Sequence, residues 1–144
     1  MQILKIDFDG ESLGSFIDKE FNEYAKKFNI KVDYNDFCFV AKENDTLLGV
    51  VVGHSYYKEV HVTDLIVREE YRGKGVGSEL IRRVEKEFSG QEYENINLTT
   101  FAFQAPAFYK KLGFEIEFVR KSTDEKLTKY FLIKHLELQK NEKE

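Results

Sequence analysis

Residues 64–80 read DLIVREEYRGKGVGSEL, and this stretch decides the fold. An apolar, β-rich run that begins at Val60 closes at Val67. Gly73, Gly75 and Gly77 follow within a charged connection. Val76, Leu80, Ile81, Val84 and Phe88 then recur at helical spacing. Strand, glycine loop and helix stand in immediate succession. Glycines let backbone N–H groups approach a ligand without a Cβ in the way. The first turn of a helix adds unpaired donors and the positive end of its dipole. Arg72 and Lys74 add two positive charges. Such a segment suits a pyrophosphate; the alternative is a glycine-rich turn carrying a solvated charge patch. The G-x-x-x-x-G-K-[ST] loop does not fit, because Arg68 stands where its first glycine belongs. Nor does G-x-G-x-x-G, because Ser78 replaces the last glycine. The pattern that fits is R-x-x-G-x-G, from Arg72 to Gly77.

On the N-terminal side, residues 60–67 (VHVTDLIV) predict the strand that feeds this loop. Residues 37–42 (FCFVAK) and 47–53 (LLGVVVG) flank the turn-rich Glu43-Asn44-Asp45-Thr46 and predict a hairpin. Leu13, Phe16, Ile17, Phe21, Tyr24 and Phe28 predict a helix over residues 11–29 with one apolar face. Residues 1–7 alternate Ile3, Lys5, Asp7 against Leu4, Ile6, Phe8, which predicts a first strand. On the C-terminal side the helix of residues 76–88 stops at Ser89-Gly90. A strand over residues 93–100, a short helix over 104–112 closed by Gly113, and strands over 114–119 and 128–136 follow. The expected order is β-α-ββ-β-α-β-α-β-β, an α/β sandwich with a mixed sheet and helices on its faces.

Composition agrees with one globular domain. The chain has 144 residues, 42% hydrophobic and 33% charged, enough apolar side chain to build a core. Net charge is −4, which disfavours a nucleic-acid coat. Cys38 is the single cysteine, so neither a disulfide framework nor a multi-cysteine metal site is available; its apolar surroundings predict a buried, inert thiol. The three histidines lack metal-ligand spacing, and no metal is expected. No apolar run reaches the roughly 20 residues of a membrane span, and the N-terminus lacks the pattern of a secretory signal. The expectation is a cytoplasmic protein: one domain over residues 1–138 and a charged tail, QKNEKE, over 139–144.

A second motif sharpens the reading. Residues 105–115 read APAFYKKLGFE, an A-x-x-F-Y-x-K-L-G-F-E pattern. With R-x-x-G-x-G preceding it in the same element order, the chain resembles the GNAT superfamily of N-acetyltransferases. The F-Q-A-P-x-F-Y-x-K-L-G-F wording is similar to that of a bacterial branch of small single-domain members. The resemblance covers residues 47–136 and is weak over the first 35. It implies a GNAT-like mixed sheet whose fourth and fifth strands splay apart. It also implies transfer of an acetyl group from acetyl-CoA to a primary amine of a small molecule or protein, by direct attack in a ternary complex. A non-catalytic acyl-CoA-binding or regulatory domain is the alternative. Partners would be acetyl-CoA and the amine acceptor, with no nucleic acid and no membrane; dimers are common in the superfamily.

The resemblance also assigns residues. Leu65, Ile66 and Val67 would offer backbone groups along the pantetheine arm, and Arg72, Gly73, Lys74, Gly75, Val76, Gly77 and Ser78 would bind the pyrophosphate. Ala105 and Phe108 belong to the second cofactor-contacting motif. Tyr109 matches the tyrosine that protonates the departing thiolate in many members. His61 stands where several relatives place a base, and imidazole suits proton uptake near neutral pH. Asp64 and Glu59 are reserves, Asp64 by orienting a water. Tyr34, Tyr56 and Tyr57 are candidate lining for an acceptor cleft. Ala102 stands where many members have an asparagine.

Overall fold

The computed structural model describes residues 1–137. They fall into two compact units, Met1–Asp33 and a second that begins at Tyr34. The expected tail over residues 139–144 lies outside the described residues.

The first unit holds one helix, α1 (Ser12–Lys26). Asp9 organises its start: the carboxylate accepts from Glu11 N–H at 3.0 Å and from the Ser12 hydroxyl at 2.8 Å. The Ser12 hydroxyl, then the Glu11 amide, holds its pKa below the ordinary value. Asn29 ends the segment at φ 57°, with Ile30 N–H reaching back to the Ala25 carbonyl at 3.0 Å. This is the left-handed closure that asparagine tolerates. The strand expected over residues 1–7 does not form. Alternation gives a strand one apolar face, but a strand also needs a ladder partner, and this unit contains only a helix.

The second unit is a six-stranded mixed sheet with two helices. Its elements are β1 (Asn35–Glu43), β2 (Thr46–Tyr56), β3 (Glu59–Val67), α2 (Val76–Phe88), β4 (Asn95–Phe101), α3 (Pro106–Lys111), β5 (Glu115–Arg120) and β6 (Lys129–His135). The strand order is β1-β2-β3-β4-β6-β5; only the β3–β4 pair is parallel. A short 3-10 turn, Glu69–Tyr71, precedes the glycine loop, and another, Glu125–Leu127, precedes β6.

The core lies between α2 and one face of β1–β4. Leu80, Ile81, Val84 and Phe88 of α2 pack with Val51, Val60, Ile96 and Leu98. Val51, Val60, Ile81, Val84 and Ile96 are fully buried. Each such side chain stabilises the fold by about 1.5–3 kcal/mol relative to exposure. The outer face of α2 carries Arg82–Glu79 and Arg83–Glu87 ion pairs, three and four residues apart on the helix. Lys134 ties the layers together, donating to Glu85 Oε1 at 2.8 Å and to the Leu112 carbonyl at 2.6 Å.

Cys38 departs from expectation: it is exposed. In β1, Phe37, Phe39 and Ala41 turn toward the core, so strand alternation sends Cys38 and Val40 to the opposite face.

Candidate active site

The site arises where β3 and β4 part. They pair only through Glu59–Asn95, Val60–Ile96 and His61–Asn97. Beyond His61, β3 stays with β2 and β4 follows β6 along its whole length. The splay expected of the fourth and fifth strands is therefore present, between what are here the third and fourth. A bulge accompanies it. Val52 stands opposite Asp64 and Gly53 opposite Val62, which leaves Thr63 unpaired in the ladder. The Thr63 hydroxyl donates to the Val52 carbonyl at 3.0 Å.

The gap is a cleft of about 790 Å³, within the usual size of a ligand site. Leu98 and Thr100 line it from one face of β4 and Thr99 from the other, so it reaches through the sheet. Along β3, Arg68 N–H donates to the Leu48 carbonyl at 2.8 Å, toward β2. Strand alternation then turns the backbone groups of Leu65 and Val67 to the cleft edge. Those of Ile66 turn to β2, where its carbonyl crowds Gly49; Ile66 lines the cleft with its side chain.

At one end stands the glycine loop. Arg72 Nε donates to the Val67 carbonyl at 2.9 Å and fastens the loop to the strand end. Gly73 and Gly75 have φ of 76° and 85°, with open space where a Cβ would lie. Conformation, not crowding, requires glycine there. Gly75 is the N-cap of α2, and no side chain caps that helix. Val76, Gly77 and Ser78 line the cleft with the first-turn amides that an α-helix leaves unpaired. Gly77 is tight in space: its Cβ would lie 3.1 Å from Phe108 Cζ, so the Phe108 ring would have to shift by a few tenths of an ångström. Lys74 is outside the lining; its ammonium stands 5.5 Å from the Tyr71 ring centroid.

The opposite wall comes from α3. Ala105, Phe108 and Tyr109 all line the cleft. Tyr109 is buried against Phe108 and Phe114, with ring centroids 5.0 and 5.6 Å away. Burial pushes its phenol pKa up to about 12, so the hydroxyl keeps its proton across the ordinary pH range. Thr99, Thr100, Phe103 and Gln104 complete this wall, none of them among the site residues expected from the sequence. The run TTFAFQ before the second motif carried the signal. Gln104 Oε1 accepts from Phe101 N–H at 3.0 Å and faces the Thr100 hydroxyl at 3.4 Å. Ala102 lies outside the lining; its N–H donates to the Thr128 carbonyl at 2.8 Å.

His61 stands at the apex of the splay, on the sheet face away from α2, with Val62 the first residue of the lining. Its Nδ1 lies 2.7 Å from Asn97 Oδ1. Asp64 lines the cleft past the bulge. His54 stands opposite His61 with ring centroids 5.3 Å apart, and Tyr34 stacks on His54 at 5.0 Å. Burial, then the neighbouring His61, lowers the His54 pKa against an opposing effect of Asp36. Among the described residues no group of three or more His, Cys, Asp or Glu could hold a metal ion, and no helix is long and apolar enough to cross a membrane.

A glycine loop and an uncapped helix start stand at the mouth of a parted parallel strand pair, and a long cleft runs from them along the β3 edge. The sequence pattern of the acetyltransferase (GNAT) family matches residues 2–114, and the chain belongs to that family. The match begins well before the two motifs. A blasticidin-S acetyltransferase of Streptomyces morookaense is 33% identical over 100 residues, 68% of this chain and 73% of that protein. The crystal structure of an acetyltransferase from Bacillus cereus ATCC 14579 superposes with a TM-score of 0.75 at 27% identity, covering 92% of this chain and 98% of that one. A GNAT family acetyltransferase from Elizabethkingia anophelis with acetyl-CoA bound shares the fold at 18% identity, TM-score 0.60, over 79% and 82% of the two chains. The protein is an acetyl-CoA-dependent acetyltransferase.

Proposed function

We propose that one domain over residues 1–138 transfers acetyl from acetyl-CoA directly to a primary amine of a small molecule in the cytoplasm, as in the small bacterial members of the family. The observation that carries this is the cleft itself. It joins uncapped helix amides at one end to a buried phenol in its wall, and it reaches through the sheet. The cradle fits a pyrophosphate: left-handed glycines turn the loop, and the first-turn amides of α2 supply donors. Arg72, Gly73, Gly75, Val76, Gly77 and Ser78 hold that group, with Lys74 contributing charge from outside the lining. Leu65 and Val67 offer backbone groups along the β3 edge, and Ile66, Ala105 and Phe108 offer apolar walls. Acetyl-CoA, when bound there, supplies the activated acetyl group.

Two side chains have proton tasks. Tyr109 Oη carries a proton it can give to a departing thiolate. His61 takes the proton from the attacking amine, with Asp64 beyond the bulge to orient a water. An amine-bearing antibiotic such as blasticidin S is the first acceptor to try, because a relative named for it covers 68% of this chain.

Calorimetric titration with acetyl-CoA, coenzyme A and ATP at two salt concentrations tests the reading. Salt-sensitive binding of acetyl-CoA, weakened about tenfold by Arg72→Ala through lost charge, is expected. A panel of amines with blasticidin S included should then show turnover. Binding of ATP in preference to acetyl-CoA overturns the reading; binding without turnover on any amine leaves a carrier in its place.

A further inference from the structure

The sheet face away from α2 carries polar side chains that the cleft lining does not include. Glu59 stands opposite Asn95 and His61 opposite Asn97 in the short β3–β4 ladder. Their contacts run in one series. Asn95 Nδ2 donates to Glu59 Oε1 at 3.5 Å, a long contact, and Asn97 Nδ2 donates to Asn95 Oδ1 at 2.8 Å. His61 Nδ1 meets Asn97 Oδ1 at 2.7 Å.

A carboxylate only accepts. Asn95 therefore turns its NH₂ to Glu59 and its carbonyl to Asn97. Asn97 in turn directs its NH₂ to Asn95 and its carbonyl to His61. A carbonyl also only accepts, so Nδ1 of His61 carries a proton, and Nε2 of the neutral ring holds the free lone pair. The other tautomer sets two acceptors against each other somewhere in the series. Asn95 is 7% exposed, so water cannot readily relieve the conflict.

We propose that Asn97, oriented by Glu59 through Asn95, is a positioning residue that holds His61 as its Nδ1–H tautomer and keeps Nε2 open to the proton of the attacking amine. The inference rests on the reading of His61 as the base. Position supports it: His61–Asn97 is the last pair before the strands part, and the cleft begins one residue on. The His54 pKa is lowered, which keeps a neutral ring beside His61 at neutral pH. The other titratable or charged groups at positions on this face are Tyr34, Asp36 and Cys38 at β1, Tyr56 on β2, Glu59 and Asp64 on β3, His135 and Lys129 on β6, and Glu115 and Arg120 on β5.

Two-bond ¹⁵N–¹H spectra of the labelled full chain at alkaline pH read the tautomer directly. The expected wild-type pattern for His61 is a protonated Nδ1 and a bare Nε2. Asn97→Leu should mix the tautomers and lower kcat about tenfold, part of the 10²–10⁴-fold that a general base contributes, with the KM for acetyl-CoA unchanged. Asn97→Asp keeps an acceptor toward His61, while Asn95 must turn its NH₂ from Glu59 to the new carboxylate. It should restore the Nδ1–H pattern and move the acid limb of kcat/KM to higher pH, because a carboxylate favours the imidazolium. Binding of acetyl-CoA checks folding; if Asn97→Leu fails to bind it, the wild-type spectrum and Asn97→Asp decide the matter. A wild-type Nε2–H pattern, or an unmoved acid limb in Asn97→Asp, overturns the proposal and leaves the base reading standing. Unchanged kcat in His61→Ala overturns the base reading, and the catalytic part of the proposal with it.

Discussion

The two ends of the cleft are made of different material. At the glycine loop the ligand-facing groups are backbone amides from one short run, Gly73 to Ser78, aimed by left-handed φ angles and a helix start. At the apex, just outside the lining, stand side chains from β2, β3 and β4 that meet only because the strands lie side by side. A backbone site is fixed by local conformation, so one residue in the wrong φ region or of the wrong charge damages the whole of it. A side-chain site is fixed by neighbours far apart in sequence, so each substitution removes one contact and leaves the frame.

The largest effect should therefore come from the loop. Gly75→Glu places a side chain where φ is 85° and a carboxylate where phosphates are to bind. Strain of about 1–2 kcal/mol falls mainly on stability, and like-charge repulsion should cost binding at least about 2.7 kcal/mol, or a 100-fold rise in Kd. Because no protein atom lies within 4 Å of the added Cβ, folding should survive. Gly75→Ala separates strain from charge and should weaken binding less. Wild-type affinity in Gly75→Glu would mean that the phosphates bind elsewhere.

Tyr109 stands between the two materials, a side chain placed by the turn of a short helix. Tyr109→Phe should lower kcat about 100-fold, the lower end for loss of a general acid, with acetyl-CoA affinity nearly unchanged. The phenol pKa is raised to about 12 from an ordinary 10.0, so kcat should show no basic limb from this group across the ordinary pH range. Above pH 10 the unfolded chain gives up this proton before the folded one does, so the stability contribution is present below pH 10 and lost as pH rises toward 12. The loss is about 2–3 kcal/mol, and Tyr109→Phe should flatten that slope in alkaline denaturation. An identical slope would place the hydroxyl in a wetter setting than its burial indicates.

The same contrast explains what the sequence made legible. The helix over residues 76–88 and the glycine loop were readable, because stripe, stop signal and positive-φ glycines are local. Tyr109 was readable as part of a contiguous motif. Asn95 and Asn97 were not. Nothing in YENINLTT says which strand lies beside it, and their meaning depends on Glu59 and His61 being opposite. The strand expected over residues 1–7 failed for the same reason: alternation marks a face, and pairing needs a partner. Cys38 was misplaced because an apolar run hides which of its two faces is inward; on β1 that face belongs to Phe37, Phe39 and Ala41. Lys74 shares the loop's charge pattern, yet it stands over Tyr71 outside the lining.

The smallest effect belongs to the side-chain end. The His54 pKa lies below its ordinary 6.5, first through burial and then through His61. The folded state thus binds this proton less readily than the unfolded chain. Its contribution to stability is present above about pH 6.5 and is lost as pH falls through the lowered folded value. The ring is only partly covered, so solvent screening keeps the effect small, about 1–2 °C in Tm. His54→Gln should therefore lose less Tm than wild type on acidification from neutral pH. Asp36 works in the opposite sense by favouring the charged ring, so Asp36→Asn should steepen the acid loss. Gly75→Glu, distant in kind from this network, should keep the wild-type acid slope. Equal slopes in wild type and His54→Gln would show that neither burial nor His61 shifts this ring on folding, and would reduce the contrast between the two ends to geometry alone.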